Sequence, residues 1–295
     1  MSASQSQKLV LATGASSGLG FESIKQLLEQ SEQAYHFVLG VRSTEKVQAA
    51  YDELKYDAKH TVTIFHLDLL SLESVQLFTK QVFEKLGSFH IDILYLAAGA
   101  LDKAEGPGPH GSQWCAGYVV NHLAQHYLVH LLQSELRSSK SRVVVVSSGA
   151  IRNVRDQDPS TLDVDLKANS GAGYSTVYSA SKFTQLLAAH YWRRQLPECH
   201  IVAVSPGLIP STGLATSMGL SMNMPDAKTV PEGAQNLLRA FTVQDFPADP
   251  QQIFLTSWGE WWSTDVIALS LDPALQDKWC PGKEEIEKQA GLSSY

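Results

Sequence analysis

Two short constellations in the sequence could carry chemistry. The first is Thr13-Gly14-Ala15-Ser16-Ser17-Gly18-Leu19-Gly20, which directly follows an apolar, β-branched run and opens a stretch with helical periodicity. In that placement Gly14 permits a tight turn, Gly18 lets backbone N–H groups approach a phosphate, and Gly20 lets the helix pack closely. Ser16, Ser17 and Leu19 belong to the same binding turn, and the helix N-terminus adds favourable partial charge. The ligand this predicts is a dinucleotide, held by its pyrophosphate. The second constellation is Tyr178-Ser179-Ala180-Ser181-Lys182 on a predicted helix, which sets Tyr178 and Lys182 one turn apart on one face. An ammonium there would favour the phenolate, and a tyrosine with an unperturbed pKa of about 10 needs such tuning to exchange protons near neutral pH. On spacing alone, the ordinary reading of such a pair is an apolar contact and a solvated charge.

The predicted second strand ends at Gly40-Val41-Arg42-Ser43, about twenty residues beyond the glycines. No acidic residue stands at its tip to bond the ribose 2′-hydroxyl of NAD. Arg42 can instead pair with a 2′-phosphate and Ser43 can donate to it, so NADP(H) is the expected cofactor. The competing reading of Arg42 is a solvated surface cation.

These residues need a scaffold, and the apolar pattern supplies one. Short runs rich in β-branched residues predict seven strands at 9–13, 36–41, 62–67, 93–97, 143–147, 201–205 and 253–255. Helical periodicity lies between most of them, at 21–29, 72–86, 117–136, 178–195 and 231–241. Strands apolar on both faces and separated by helices imply a parallel sheet covered on both sides. The expectation is an α/β chain with a doubly wound Rossmann fold, a single NADP-binding domain over 1–295. Two segments break the rhythm, 152–173 and 206–229, and both are expected as long loops near the active site, beyond the carboxyl ends of the strands.

Composition narrows the function. The chain has 295 residues, is 44% hydrophobic and 18% charged, and carries a formal net charge of −7, so no broad basic surface is available for nucleic acid. Cys115, Cys199 and Cys280 lie far apart with no C-x-x-C spacing, which argues against a disulfide framework and a zinc site. The polar start MSASQSQ leaves no room for a secretory signal, and no run is long enough to span a membrane; a cytoplasmic protein is expected.

Taken together, the two constellations resemble the short-chain dehydrogenase/reductase family, over nearly the whole chain. The family pattern T-G-x-x-x-G-x-G matches Thr13 to Gly20, and Y-x-x-x-K matches Tyr178 to Lys182. Asp68 in His66-Leu67-Asp68-Leu69, then Asn121, Ser148 and Pro206-Gly207, match in the family's order. The resemblance implies a carbonyl/alcohol couple in which Tyr178 exchanges a proton with the substrate oxygen and Ser148 orients that oxygen. It further implies that Lys182 holds the nicotinamide ribose and lowers the tyrosine pKa, while Asn121 anchors a water of the proton relay. Implied cofactor contacts are Asp68 and Leu69 near the adenine, Ala98 and Gly99 after the fourth strand, and Pro206, Gly207, Ile209 and Ser211 near the nicotinamide. Ser147 could be mistaken for Ser148, but the residue at the strand exit and the family motif both point to the second serine.

Within the family the likeness runs toward the branch of retinol dehydrogenases and light-dependent protochlorophyllide reductases. Asn121-His122-Leu123 followed by His126, the strand-tip Arg42, and the run from Pro206 to Leu214 carry it. Members of that branch commonly use NADP(H), which agrees with Arg42; the family resemblance implies a homodimer or homotetramer paired through the helices of Asn121 and Tyr178, and the methionines after Pro206 suggest an apolar carbonyl or alcohol substrate. Two departures stand out. The family's N-N-A-G appears as Leu96-Ala97-Ala98-Gly99, and its usual threonine appears as Ser211 followed by Thr212. Rival functions are a reductase of C=C bonds in enones and a non-catalytic NADPH-binding regulator. His122, His126 and His130, at metal-ligand spacing, read as ordinary helix residues because no acidic or cysteine ligand accompanies them. Trp258, Trp261 and Trp262 read as core or covered sheet edge before substrate mouth, and Met218, Met222 and Met224 read equally as substrate cover or gap filler.

Overall fold

The seven β-branched runs all become strands, each within one residue of its expected ends: β1 Lys8–Thr13, β2 Tyr35–Val41, β3 Thr61–His66, β4 Ile93–Leu96, β5 Arg142–Val146, β6 His200–Val204 and β7 Phe254–Leu255. The computed structural model describes residues 7–87, 89–154, 158–216 and 219–293; residues 1–6 of the polar start, 155–157 and Met218 lie outside them. The strands form one sheet in the order β3-β2-β1-β4-β5-β6-β7, and every pairing is parallel. The order reverses between β1 and β4, so the connections leaving these two strands diverge and open a crevice at their carboxyl ends.

Alternate residues of the central strands face two separate cores. Leu9, Leu11, Leu94, Val143, Val145 and Ile201 face one layer, and Val10, Ala12, Tyr95, Val144, Val146 and Val202 the other. Helices α1 (Gly18–Gln30), α2 (Thr44–Asp52) and α6 (Val230–Thr242) cover the second. Helices α3 (Leu72–Leu86), α4 and α5 (Tyr174–Gln195) cover the first. Helix α4 has three consecutive pieces, Ala116–Tyr118, a π-helical turn Val119–Leu123 and Ala124–Ser139. Helix α3 has the expected bounds because both ends are signalled: the Ser71 side chain accepts from the Ser74 backbone N–H, and Gly87 leaves the helix at φ 62°. Helix α2 was not expected, since only Val47 and Tyr51 along it are buried and its periodicity is faint.

The expected loops are partly helical. The first carries short turns at Pro159–Thr161 and Leu162–Asp165, and the second at Gly213–Thr216. Beyond β7 the chain recrosses the first layer through α7 (Pro273–Trp279) and α8 (Lys283–Ala290). Ile267, Trp279, Cys280 and Ile286 join the core there; Arg194 Nε donates to Gln276 Oε1 at 2.8 Å, and Tyr127 Oη donates to Glu287 Oε1 at 2.9 Å. No helix among the described residues is long and apolar enough to cross a membrane.

Candidate active site

The glycine turn sits where β1 hands over to α1, at the edge of the crevice. Gly14 has φ 72°, and a Cβ there would stand 2.4 Å from the Ala98 backbone nitrogen, so the turn closes only on glycine. A Cβ at Gly20 would stand 2.2 Å from the Gly14 carbonyl oxygen, which is the close helix packing expected of it. Gly18 has φ 56°, and a Cβ there would meet no protein atom within 4 Å: its open side faces the crevice. Ser17 is the N-cap of α1 but its side chain makes no capping bond, and no acidic residue occupies the first turn. The first amides of α1 therefore point at the cleft without a side-chain acceptor, a favourable seat for a pyrophosphate.

The cleft has a volume of about 1060 Å³ and runs from Arg42 past the glycine turn to Trp262. Gly14, Ser16, Ser17, Gly18, Leu19 and Gly20 line it, as do Asp68 and Leu69, Ala98 and Gly99, and Pro206, Gly207, Ile209 and Ser211. Size, open glycine and uncapped helix all fit a nicotinamide dinucleotide. Arg42 lines the far end with its side chain exposed, and its carbonyl oxygen is tied to His66 Nδ1 at 3.0 Å. Ser43 is not among the lining residues; it is the N-cap of α2, and its side chain makes no capping bond there. Thr212 Oγ1 accepts from the Ala215 N–H at 3.2 Å and so caps the short turn after it, while Ser211 is exposed at the cleft wall.

Ser148, Tyr178 and Lys182 converge on the middle of the cleft. Ser148 leaves β5 as the N-cap of the short turn Gly149–Asn153, accepting from the Ala150 N–H at 3.2 Å. Burial raises the Tyr178 phenol above its ordinary value, and a hydrogen bond with Ser148 partly offsets the rise. Neighbouring Ser147 is buried with no partner for its hydroxyl, its backbone N–H bound to Val204. Lys182 lies on α5 with its ammonium donating to the Val146 carbonyl at 2.8 Å and to Gln185 Oε1 at 3.1 Å. It stands 6.0 Å from the Tyr178 ring centre, and burial pushes its pKa down to about 7. Sequence reasoning missed Gln185, because a glutamine on a helix reads as solvated.

Asn121 lies beneath the cleft wall on the π-helical turn, and its side chain is fully engaged. Its Oδ1 accepts from the Ala100 N–H at 2.7 Å; its Nδ2 donates to the Ala100 carbonyl and to Ser181 Oγ, both at 2.9 Å. Ser181 Oγ in turn donates to the Tyr178 carbonyl at 3.0 Å, which ties α4 to the first turns of α5.

The tempting residues separate by position. His122 Nε2 donates to the Trp279 carbonyl at 2.7 Å, and His126 and His130 converge on the Pro281 carbonyl at 3.0 and 3.1 Å, so the ladder binds the chain's own C-terminal segment. Among the described residues, no group of three or more His, Cys, Asp or Glu is placed to hold a metal. The tryptophan spacing is not helical: Trp261 packs toward Phe246 at the sheet edge, whereas Trp258 and Trp262 line the cleft. Trp262 stacks on Phe254 at 4.2 Å and carries the Arg152 guanidinium 5.1 Å from its ring centre. Met222 and Met224 are exposed and do not line the cleft; Leu220 and Pro225 of the same segment do.

A family model described as short chain dehydrogenase matches residues 8–157. A short-chain dehydrogenase/reductase of Pestalotiopsis microspora, GME11359, is 55% identical over 285 residues, 95% of this chain and 98% of the relative. The chain belongs to the short-chain dehydrogenase/reductase family. Another member, tropE of Talaromyces stipitatus, is 32% identical over 229 residues, 73% of this chain and 81% of its own length. The NADPH-bound carbonyl reductase from chicken fatty liver superposes with a TM-score of 0.63 at 20% identity, covering 89% of this dehydrogenase/reductase and 97% of that chain, and so shares its fold.

Proposed function

We propose that this chain is an NADP(H)-dependent ketoreductase, reversible as an alcohol dehydrogenase, acting on an apolar carbonyl compound. The observation that carries the reading is the meeting of Ser148, Tyr178 and Lys182 in the cleft that begins at the glycine turn. Bound NADPH supplies the hydride. Ser148 holds the carbonyl oxygen, and Tyr178 gives that oxygen its phenolic proton, so that hydride and proton together make the alcohol. As they stand, the two pKa shifts oppose this step: the phenol is raised and the ammonium of Lys182 is weakened. Lys182 would hold the nicotinamide ribose, and a hydroxyl acceptor there would favour its charged form, which in turn would lower Tyr178.

Arg42, exposed at the tip of β2 with no acid beside it, favours the 2′-phosphate and hence NADP(H) over NAD(H). Trp258 and Trp262 make the substrate end apolar and aromatic, which suits a cyclic or isoprenoid carbonyl compound. The likeness to the retinol dehydrogenase branch belongs to this proposal, on the strength of Asn121-His122-Leu123. Subunit pairing through α4 and α5 must contend with α7 and α8, which already lie across those helices. The deciding experiment pairs Tyr178→Phe with NADPH titration. Turnover of carbonyl substrates should fall by about 10²–10⁴-fold while NADPH binding holds. Retained turnover would overturn the reading.

A further inference from the structure

No side-chain amide stands at the exit of β4, where the chain reads Leu96-Ala97-Ala98-Gly99, yet a buried amide reaches that point from α4. We propose that Gln125 is a positioning residue that joins the glycine turn to the helices carrying Asn121 and Tyr178, so that cofactor binding and proton transfer depend on one side chain. The proposal rests on the cofactor reading above.

Gln125 is 2% exposed, and both ends of its amide are engaged. Its Oε1 accepts from Thr13 Oγ1 at 3.2 Å, and its Nε2 lies 3.1 Å from the Ala98 carbonyl, 3.0 Å from that of Val120 and 3.2 Å from that of Asn121. Thr13 Oγ1 also accepts from the Ala98 N–H at 3.3 Å, so Thr13, Gln125 and Ala98 close a ring. Thr13 is the last residue of β1, and Ala98 is the residue against which Gly14 is pressed. That ring therefore fixes the two strand exits that flank the switch in strand order.

The other arm explains the π-helical turn. A widened turn disturbs the regular ladder of its helix, and π turns concentrate at functional sites. Here the Gln125 amide turns back on two carbonyls of that turn, Val120 and Asn121. From Asn121 the connection continues through Ser181 to the Tyr178 carbonyl. A glutamine serving only its own helix would need neither Thr13 nor Ala98. In this water-poor interior each unmade bond leaves a polar group without a partner, so the network holds or fails as a unit. Gln125 touches neither the cleft nor Tyr178 and acts only by holding both.

The test compares Gln125→Leu, Thr13→Val and the double variant by NADPH titration, steady-state kinetics and hydrogen exchange of the cofactor-free protein. Gln125→Leu should weaken NADPH binding and lower kcat, each by roughly tenfold, with the carbonyl substrate's KM within about twofold. Thr13→Val should move both in the same direction, and the double variant should be no worse than Gln125→Leu. In cofactor-free Thr13→Val, exchange should quicken at 96–100 and at 119–125 together. That readout separates failure of this inference from failure of the cofactor reading, since it needs no ligand. Additive losses, exchange that quickens only beside Thr13, or a folded Gln125→Leu with unchanged binding and kcat would each overturn it. Should Gln125→Leu not fold, the Thr13→Val exchange pattern decides alone.

Discussion

The ammonium of Lys182 donates to the carbonyl oxygen of Val146 at 2.8 Å, binding α5 to the last residue of β5. Burial holds this lysine near pKa 7, against about 10.5 in an unfolded chain. Between those values the folded protein sheds a proton that the unfolded chain keeps, so this group makes stability rise with pH from about 7 to about 10.5. Below that window the full cost of a buried cation is carried. Lys182→Met should therefore leave the cofactor-free protein as stable as the parent at pH 7, or more stable by about 1–3 kcal/mol, while turnover collapses. Melting curves at pH 7 and 9.5 check this, and the gain should shrink at the higher pH. A large loss of stability at pH 7 would refute it.

Ser147 and Ser148 both line the cleft, but the Ser148 hydroxyl bonds Tyr178 whereas the buried Ser147 hydroxyl has no partner, and their variants should differ accordingly. Ser148→Ala removes the hydroxyl that bonds Tyr178 and should lower kcat by about 10²-fold. Ser147→Ala removes a buried hydroxyl with no partner and should be neutral or slightly stabilising. Kinetics and melting of the two single variants, side by side, are decisive.

Arg42 gives a cofactor test. Arg42→Ala should raise the NADPH Kd by about 10–100-fold, as expected for one lost charge-assisted contact, and leave the NADH Kd nearly unchanged. Equal effects on both cofactors would remove Arg42 from 2′-phosphate recognition.

Buried imidazoles set the acid limit. Burial pushes His122 and His130 down to about 4, His190 to about 3 and His126 well below its ordinary value. The unfolded chain takes up these protons near pH 6.5 and the folded chain resists, so stability should fall steadily as pH drops from about 6.5 toward 4. His190, both of whose ring nitrogens lack partners, offers the cleanest variant. His190→Leu should raise the urea midpoint at pH 5 and flatten its dependence on pH. A midpoint flat from pH 7 to 5 in the parent would contradict the argument.

The central strands were legible because their residues are apolar on both sides, a pattern few other elements produce; β3, partly exposed throughout, showed instead by its alternation of Thr61 and Thr63 with Val62 and Ile64. Helix α2 was not, since Val47 and Tyr51 alone face inward. The residues expected at the cofactor by motif order line the cleft, apart from Ser43, which stands at the N-terminus of α2 outside it. Trp258, Trp261 and Trp262 were read together as core or covered sheet edge, which fits Trp261 alone; the reversal that pairs Leu255 with Trp261 and leaves Trp258 and Trp262 at the cleft is not visible in their spacing. Gln125 and Gln185 were invisible for a general reason. A polar side chain in mid-helix announces itself only through distant partners, and those exist only after the chain has folded.

The histidine ladder and the two carbonyls it grips, those of Trp279 and Pro281, also impose an order on assembly. Trp279 and Pro281 are made 157 and 155 residues after their histidine partners, so for about half of its synthesis the nascent chain carries the ladder without these two carbonyls. Contacts spanning more than 150 residues close last and slowly. A chain truncated before Trp279 would lack both carbonyl partners of the ladder, together with the Trp279, Cys280 and Ile286 side chains that complete the first core layer.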